Sequence, residues 1–197
     1  MDIDLQVIES PLTKEEAKEQ FNRLSTELNV KHTYSFDEYW DMMEDFKNRK
    51  SFRESISELQ DEALSSTDDN VLTGDALLKH NPVKSSFADG LYIREIFNPA
   101  NQLIITKVHK KQHTFFLMEG EMSIITEGGV ETIRAPHNGI TEPDTKRLIF
   151  PHTDCRFVTV HATTLTDIDE LEKELVSDEY ENDLLESDFV KNLIQNK

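Results

Sequence analysis

The sequence predicts a mainly β protein: a small antiparallel sandwich or barrel, preceded by an acidic helical region and followed by one or two helices. Three observations carry this. Between residues 85 and 163 the apolar pattern has a period of two, in YIREIF, QLIITKV, FFLME, EMSIIT, VETIRA, KRLIF and RFVTVHA. Turn-forming stretches NPAN, EG, EGG, PHNG, EPDT and PHTD separate these runs with no helix between them, which is the signature of antiparallel strands. On either side the apolar residues recur at three- and four-residue steps, the helical spacing. The chain therefore divides into a helical region over residues 1–80, a β unit over 81–165 and a helical tail over 166–197.

In the first region, Thr13 with Glu16 and Ser35 with Glu38 have the spacing of a capping box, in which each end of the pair satisfies a free backbone N–H of the other. The first box opens a helix carrying Ala17, Phe21, Leu24 and Leu28. The second opens one whose Phe36, Tyr39, Trp40, Met43 and Phe46 form an aromatic stripe. Such a stripe can anchor a partner, and it can equally pack on neighbouring elements. Ser51 with Glu54 reads as the start of a third helix, and SSTDDN at 65–70 as a linker. In the tail, Thr166 with Asp169 caps a helix bearing Ile168, Leu171 and Leu175, and Leu184, Leu185, Phe189, Val190, Leu193 and Ile194 suit one more.

A chain of 197 residues can bury a core without disulfides or structural metal, and its single cysteine, Cys155, excludes an internal disulfide and a thiolate cluster. The formal charge of -18 argues against nucleic acid or anionic lipid as a ligand, since both need Lys and Arg to neutralise phosphates. No run reaches the roughly 20 apolar residues of a membrane span. Gly-x-Ser-x-Gly, His-Glu-x-x-His and phosphate-cradling Gly-rich patterns are missing from the sequence, which removes those enzyme classes. Cys155 near His152 and Asp154 reads as a small buried residue rather than a nucleophile.

Strand alternation sends Ile105, Lys107, His109 and His113 to one face, and Phe157, Thr159 and His161 to another that can lie opposite it. Three converging imidazoles would suit one divalent transition metal, Zn, Fe, Mn, Ni or Cu, with open positions for water or substrate. They would equally suit a metal-free pocket of hydrogen-bonded histidines. Arg94 and Glu95 alternate, so at most one of them faces inward. An inward Arg94 offers a fork for a carboxylate or phosphate, and Arg94 and Lys107 are the candidate ligand contacts. His137, His152, His32 and His80 read as loop or outlying residues.

The order of landmarks resembles the cupin superfamily of jelly-roll barrels, and in particular the single-domain cupin-like proteins of tailed bacteriophages. The matching residues are Tyr92, Arg94 and Glu95; Pro99; His109 and His113; Gly120; Gly128 and Gly129; Ala135 and Pro136; Pro143 and Thr145; and His161, Ala162 and Thr163. The resemblance spans residues 87 to 176. Counting back from Gly120, His109 takes the second His position of the cupin motif, His113 takes the Glu position and Lys107 stands where the first His would be. In the second motif the His position holds Leu148. The resemblance implies a binding or assembly protein with a phage or host protein partner, a possible homodimer, and residence in the infected cell's cytoplasm or in the virion. It also admits a metal-dependent enzyme acting on a small polar metabolite or sugar derivative, with His109, His113 and His161 as ligands.

Overall fold

The computed structural model describes residues 13–27 and 35–181. Both anticipated capping boxes form. Thr13 Oγ1 accepts from the Glu16 N–H at 3.3 Å while Glu16 accepts from the Thr13 N–H at 2.9 Å, opening α1 (Lys14–Glu27). Ser35 and Glu38 do the same for α2 (Phe36–Ser65). The third helix expected from Ser51 is instead the second half of α2, a single 30-residue helix. Nothing between Lys47 and Glu54 breaks it, and ion pairs one turn apart, Arg49 with Asp45 at 2.8 Å and Lys50 with Glu54 at 3.7 Å, span the point where a new start was expected. Part of the aromatic stripe packs internally: Phe36 is buried, with its ring 5.6 Å from Phe21 of α1 and 5.9 Å from Trp40.

After a short α3 (Gly74–His80) the chain enters the β unit: β1 (Val83–Ala88), β2 (Leu91–Asn98), β3 (Ile104–Ile105), β4 (Val108–His109), β5 (His113–Glu119), β6 (Glu121–Thr126), β7 (Gly129–Arg134), β8 (His137–Thr141), β9 (Leu148–Pro151) and β10 (Cys155–Ala162). Helix α4 (Ile168–Leu175) and the short β11 (Val176–Ser177) follow. Two strands differ from expectation. β1 pairs with β2 across an Asp89-Gly90 turn, with Gly90 at φ +71°. β8 occupies the stretch expected to be a PHNG turn; its Gly139 lies so close to the Phe115 ring that a Cβ would sit 2.6 Å from it, so this glycine answers to packing rather than to a turn.

The described strands form a five-stranded sheet ordered β1-β2-β10-β5-β8, a four-stranded sheet ordered β3-β9-β6-β7, and a β4–β11 pair, all antiparallel. Successive strands pass from one large sheet to the other and return between earlier ones. That interleaving is a jelly roll. Hydrogen bonding leaves the two sheets of this jelly roll separate among the described residues. One core joins the sheets: Phe115, Leu117, Cys155 and Phe157 from the larger, Met122, Ile124, Ile133 and Ile149 from the smaller. At roughly 2 kcal/mol per buried side chain of this kind, these eight provide most of what holds the sheets together.

Helix α4 starts one residue later than expected, with Asp167 accepting from the Glu170 N–H at 3.0 Å. Its Leu171 and Leu175 pack on Tyr92 of β2 and cover that end of the sandwich. The last expected helix, around Leu184 to Ile194, lies outside the described residues. No described helix is long and apolar enough to cross a membrane.

Candidate functional site

Alternation along β2, β5 and β10 builds the site. Across the five-stranded sheet Tyr92 stands opposite His161, Arg94 opposite Thr159, and His113 opposite Thr141, all on the inward face. His109 arrives separately on β4, held by its N–H to the Thr145 carbonyl at 2.9 Å and by its own carbonyl, which accepts from the Asp144 N–H at 2.7 Å. The three rings converge. Centroids are 4.5 Å apart for His109 and His113, 4.2 Å for His113 and His161, and 6.5 Å for His109 and His161.

Each ring keeps one buried nitrogen with no hydrogen-bond partner: His109 Nδ1, His113 Nε2 and His161 Nδ1. His113 Nδ1 lies 3.2 Å from the Lys111 carbonyl, which can only accept, so the proton sits on Nδ1 and Nε2 presents a lone pair inward. His161 Nε2 pairs with Thr159 Oγ1 at 3.1 Å. Burial, helped by His113, Arg147, His161 and Arg94, pushes the His109 pKa down to about 2. Burial with His113 and Arg94 takes His161 down to about 3. His113 is also lowered by burial, with its bond to Lys111 working the other way and Arg147 adding to the fall. All three are neutral imidazoles at physiological pH.

Two guanidiniums complete the site. Of the Arg94–Glu95 pair it is Arg94 that turns inward, while Glu95 faces out, 3.8 Å from Arg156. Burial lowers the Arg94 pKa, and its guanidinium forms no ion pair among the described residues. Arg147, just before β9, is 4% exposed. It donates from Nη2 to Thr141 Oγ1, lies 4.8 Å above the Phe115 ring, and leaves Nε unpartnered. Burial takes its pKa down to about 10, so it stays charged at neutral pH. Sequence reasoning missed Arg147 because KRLIF reads as a strand with two exposed cations at its head. Both prove buried: Lys146 donates to the Asp178 carbonyl at 3.0 Å beside the Tyr180 ring.

Lys107 is a correction. It was expected to share the inward face with His109, but the strand breaks between β3 and β4, and Lys107 turns out to meet Asp178 at 3.3 Å and Glu172 at 3.8 Å with its side chain 44% exposed. It does not line the pocket. His137 begins β8 and stacks on Phe115 at 6.1 Å, and His152 bonds Ser123 Oγ at 2.8 Å. His32 lies outside the described residues. Cys155 is buried, donates to the Thr153 and Glu121 carbonyls at 3.1 and 3.4 Å, and has its thiol pKa raised by burial, the behaviour of a packed residue.

The donor chemistry of three neutral imidazoles with free ring nitrogens suits a transition metal. Their placement does not: among the described residues no group of three or more His, Cys, Asp or Glu side chains is arranged to hold a metal ion. Two nearby guanidiniums add repulsion that a divalent cation would have to overcome.

No protein-family model matches this chain, and no curated protein matches it. Several solved structures are similar. The cupin_2 domain of an XRE family transcriptional regulator from Enterobacter cloacae shares 15% identity over 41% of this chain and 94% of that one, with a TM-score of 0.37. An RmlC-like cupin family protein with a double-stranded β-helix fold from Methanocaldococcus jannaschii shares 18% over 47% and 86%, with a TM-score of 0.37. The ectoine synthase of P. lautus shares 17% over 58% and 82%, with a TM-score of 0.42. The jelly-roll assignment rests on the strand order described above.

Proposed function

We propose that this chain is a binding protein whose jelly-roll pocket takes a small anion bearing a hydroxyl group, such as a hydroxy acid or hydrogen phosphate. The observation that carries the reading is two guanidiniums, Arg147 buried and Arg94 half-buried, with no ion pair among the described residues, beside three neutral histidines with unpartnered nitrogens. Buried charges and buried polar atoms are costly when unsatisfied. An anionic edge would pair with the guanidiniums in a forked hydrogen bond, and a hydroxyl would donate to the His113 Nε2 lone pair. The helices exceed what the sandwich needs, which supports a further role in docking a phage or host protein. A homodimer fits Phe97, Phe116, Met118 and Ile140, all exposed on the outer face of the five-stranded sheet.

Titration calorimetry with inorganic phosphate, glycolate and acetate tests the reading. Phosphate and glycolate should bind saturably and more tightly than acetate, and Arg147→Met should remove binding. Heats indistinguishable from dilution for all three would refute it.

The free ring nitrogens favour a second reading, a metal-dependent cupin-type enzyme on a small polar metabolite or sugar derivative, in which His109, His113 and His161 would hold the ion. Elemental analysis of the purified chain and of His109→Ala decides it: stoichiometric metal lost in the variant supports this reading, and its absence from both aerobic and anaerobic preparations rejects it.

A further inference from the structure

A cavity of about 780 Å³ shares Arg147 with the site and is walled by α2, by β6 and β7 with the turn between them, and by β8 with the segment after it. Arg147 reaches it over the Phe115 ring. The wall formed by α2 is neutralised: Arg53 meets Glu127 at 2.5 Å, and Arg49 reaches the same carboxylate at 3.4 Å while also bonding Asp45. On the opposite wall, Glu131 stands across from Ile124 on the inward side of β7, exposed, and its carboxylate is near enough to raise the Arg147 pKa. Phe115 and Ile124 give the space an apolar side.

Glu142 and Asp144 also line the cavity, with Glu142 accepting from Gln112 Nε2 at 2.9 and 3.1 Å, so Arg147 and Glu131 are the charges that face a shared apolar surface of Phe115 and Ile124. From this we infer that the ligand of the Arg147 site is zwitterionic: its carboxylate seats on Arg147, its short carbon chain lies on Phe115 and Ile124, and its ammonium group meets Glu131. This rests on the anion-binding reading and adds the substrate class, an amino acid with its amine removed from the carboxylate by several bonds. It also makes α2 part of the ligand site, because Arg53 and Arg49 hold that helix against the β6–β7 turn and so form the cavity's outer wall.

The full chain is titrated with β-alanine, γ-aminobutyrate and ε-aminocaproate, each against the matched acid lacking the amine: propionate, butyrate and caproate. At least one amino acid should bind roughly tenfold more tightly than its partner, as expected for one added charge-assisted contact. In Glu131→Gln, whose position on the surface keeps folding intact as checked by its Tm, the ratio should collapse to about one, and Glu131→Asp should retain part of it. Carboxylates that bind with no gain from the amine, or a ratio unchanged in Glu131→Gln, overturn the zwitterion and leave the anion pocket standing. Binding of none of the six overturns both.

Discussion

The same strands build two interiors of opposite character. Along β5, Leu117 and Phe115 enter the apolar core, and two residues earlier His113 enters the polar pocket. Along β10, Cys155 and Phe157 belong to the core while Thr159 and His161 belong to the pocket. Alternation and burial along β10 are alike in the two halves, so position within the strand decides only that a side chain faces inward. Residue type decides what the interior is for. One half satisfies itself through contact, whereas the other keeps buried nitrogens without partners and two guanidiniums without an ion pair among the described residues, which stability alone would not select.

The largest difference should come from deletion within the two halves. Phe157→Ala should cost about 3 to 5 kcal/mol in urea unfolding, the usual cost of an emptied aromatic site. By contrast, His113→Leu should leave stability unchanged or raise it by about 1 kcal/mol, since it removes an unsatisfied nitrogen, while abolishing anion binding. A comparable loss in both variants would erase the distinction.

Acid should expose the polar half next. The folded pKa of His109 is about 2 and that of His161 about 3, against an ordinary value of 6.5. Below pH 6.5 the unfolded chain takes up protons that the folded chain refuses. Stability is therefore full above 6.5 and declines as pH falls toward 3, by up to about 1.4 kcal/mol per pH unit for each ring. His109→Gln should flatten the slope by about one proton, measured as Tm against pH, whereas Phe157→Ala should lower the whole curve without changing that slope. The smallest effect belongs outside both halves: Asp167→Ala should cost about 1 kcal/mol through loss of the α4 cap.

Much of the apolar half was legible, because period-two alternation in FFLME and RFVTVHA is a local signal. The convergence of His109, His113 and His161 was also readable from spacing and the order of turns. Three features needed the folded chain. Lys107 leaves the interior because the strand interrupts at Thr106–Lys107, which alternation cannot foresee. β8 hides behind Gly139, whose lack of a Cβ serves the Phe115 ring and imitates a turn signal. Arg147 is buried against Thr141 of β8 and the Phe115 ring of β5, a tertiary event, and nothing in KRLIF separates its arginine from a solvated one.

The central claim is that the polar half holds an anion between Arg94, Arg147 and the histidines. Anomalous diffraction from crystals of the full chain grown in bromide tests it most directly. The account predicts an ordered bromide within hydrogen-bonding reach of at least one of those guanidiniums, absent in Arg147→Met. Bromide confined to the outer surface, with the pocket filled by water alone, would contradict it.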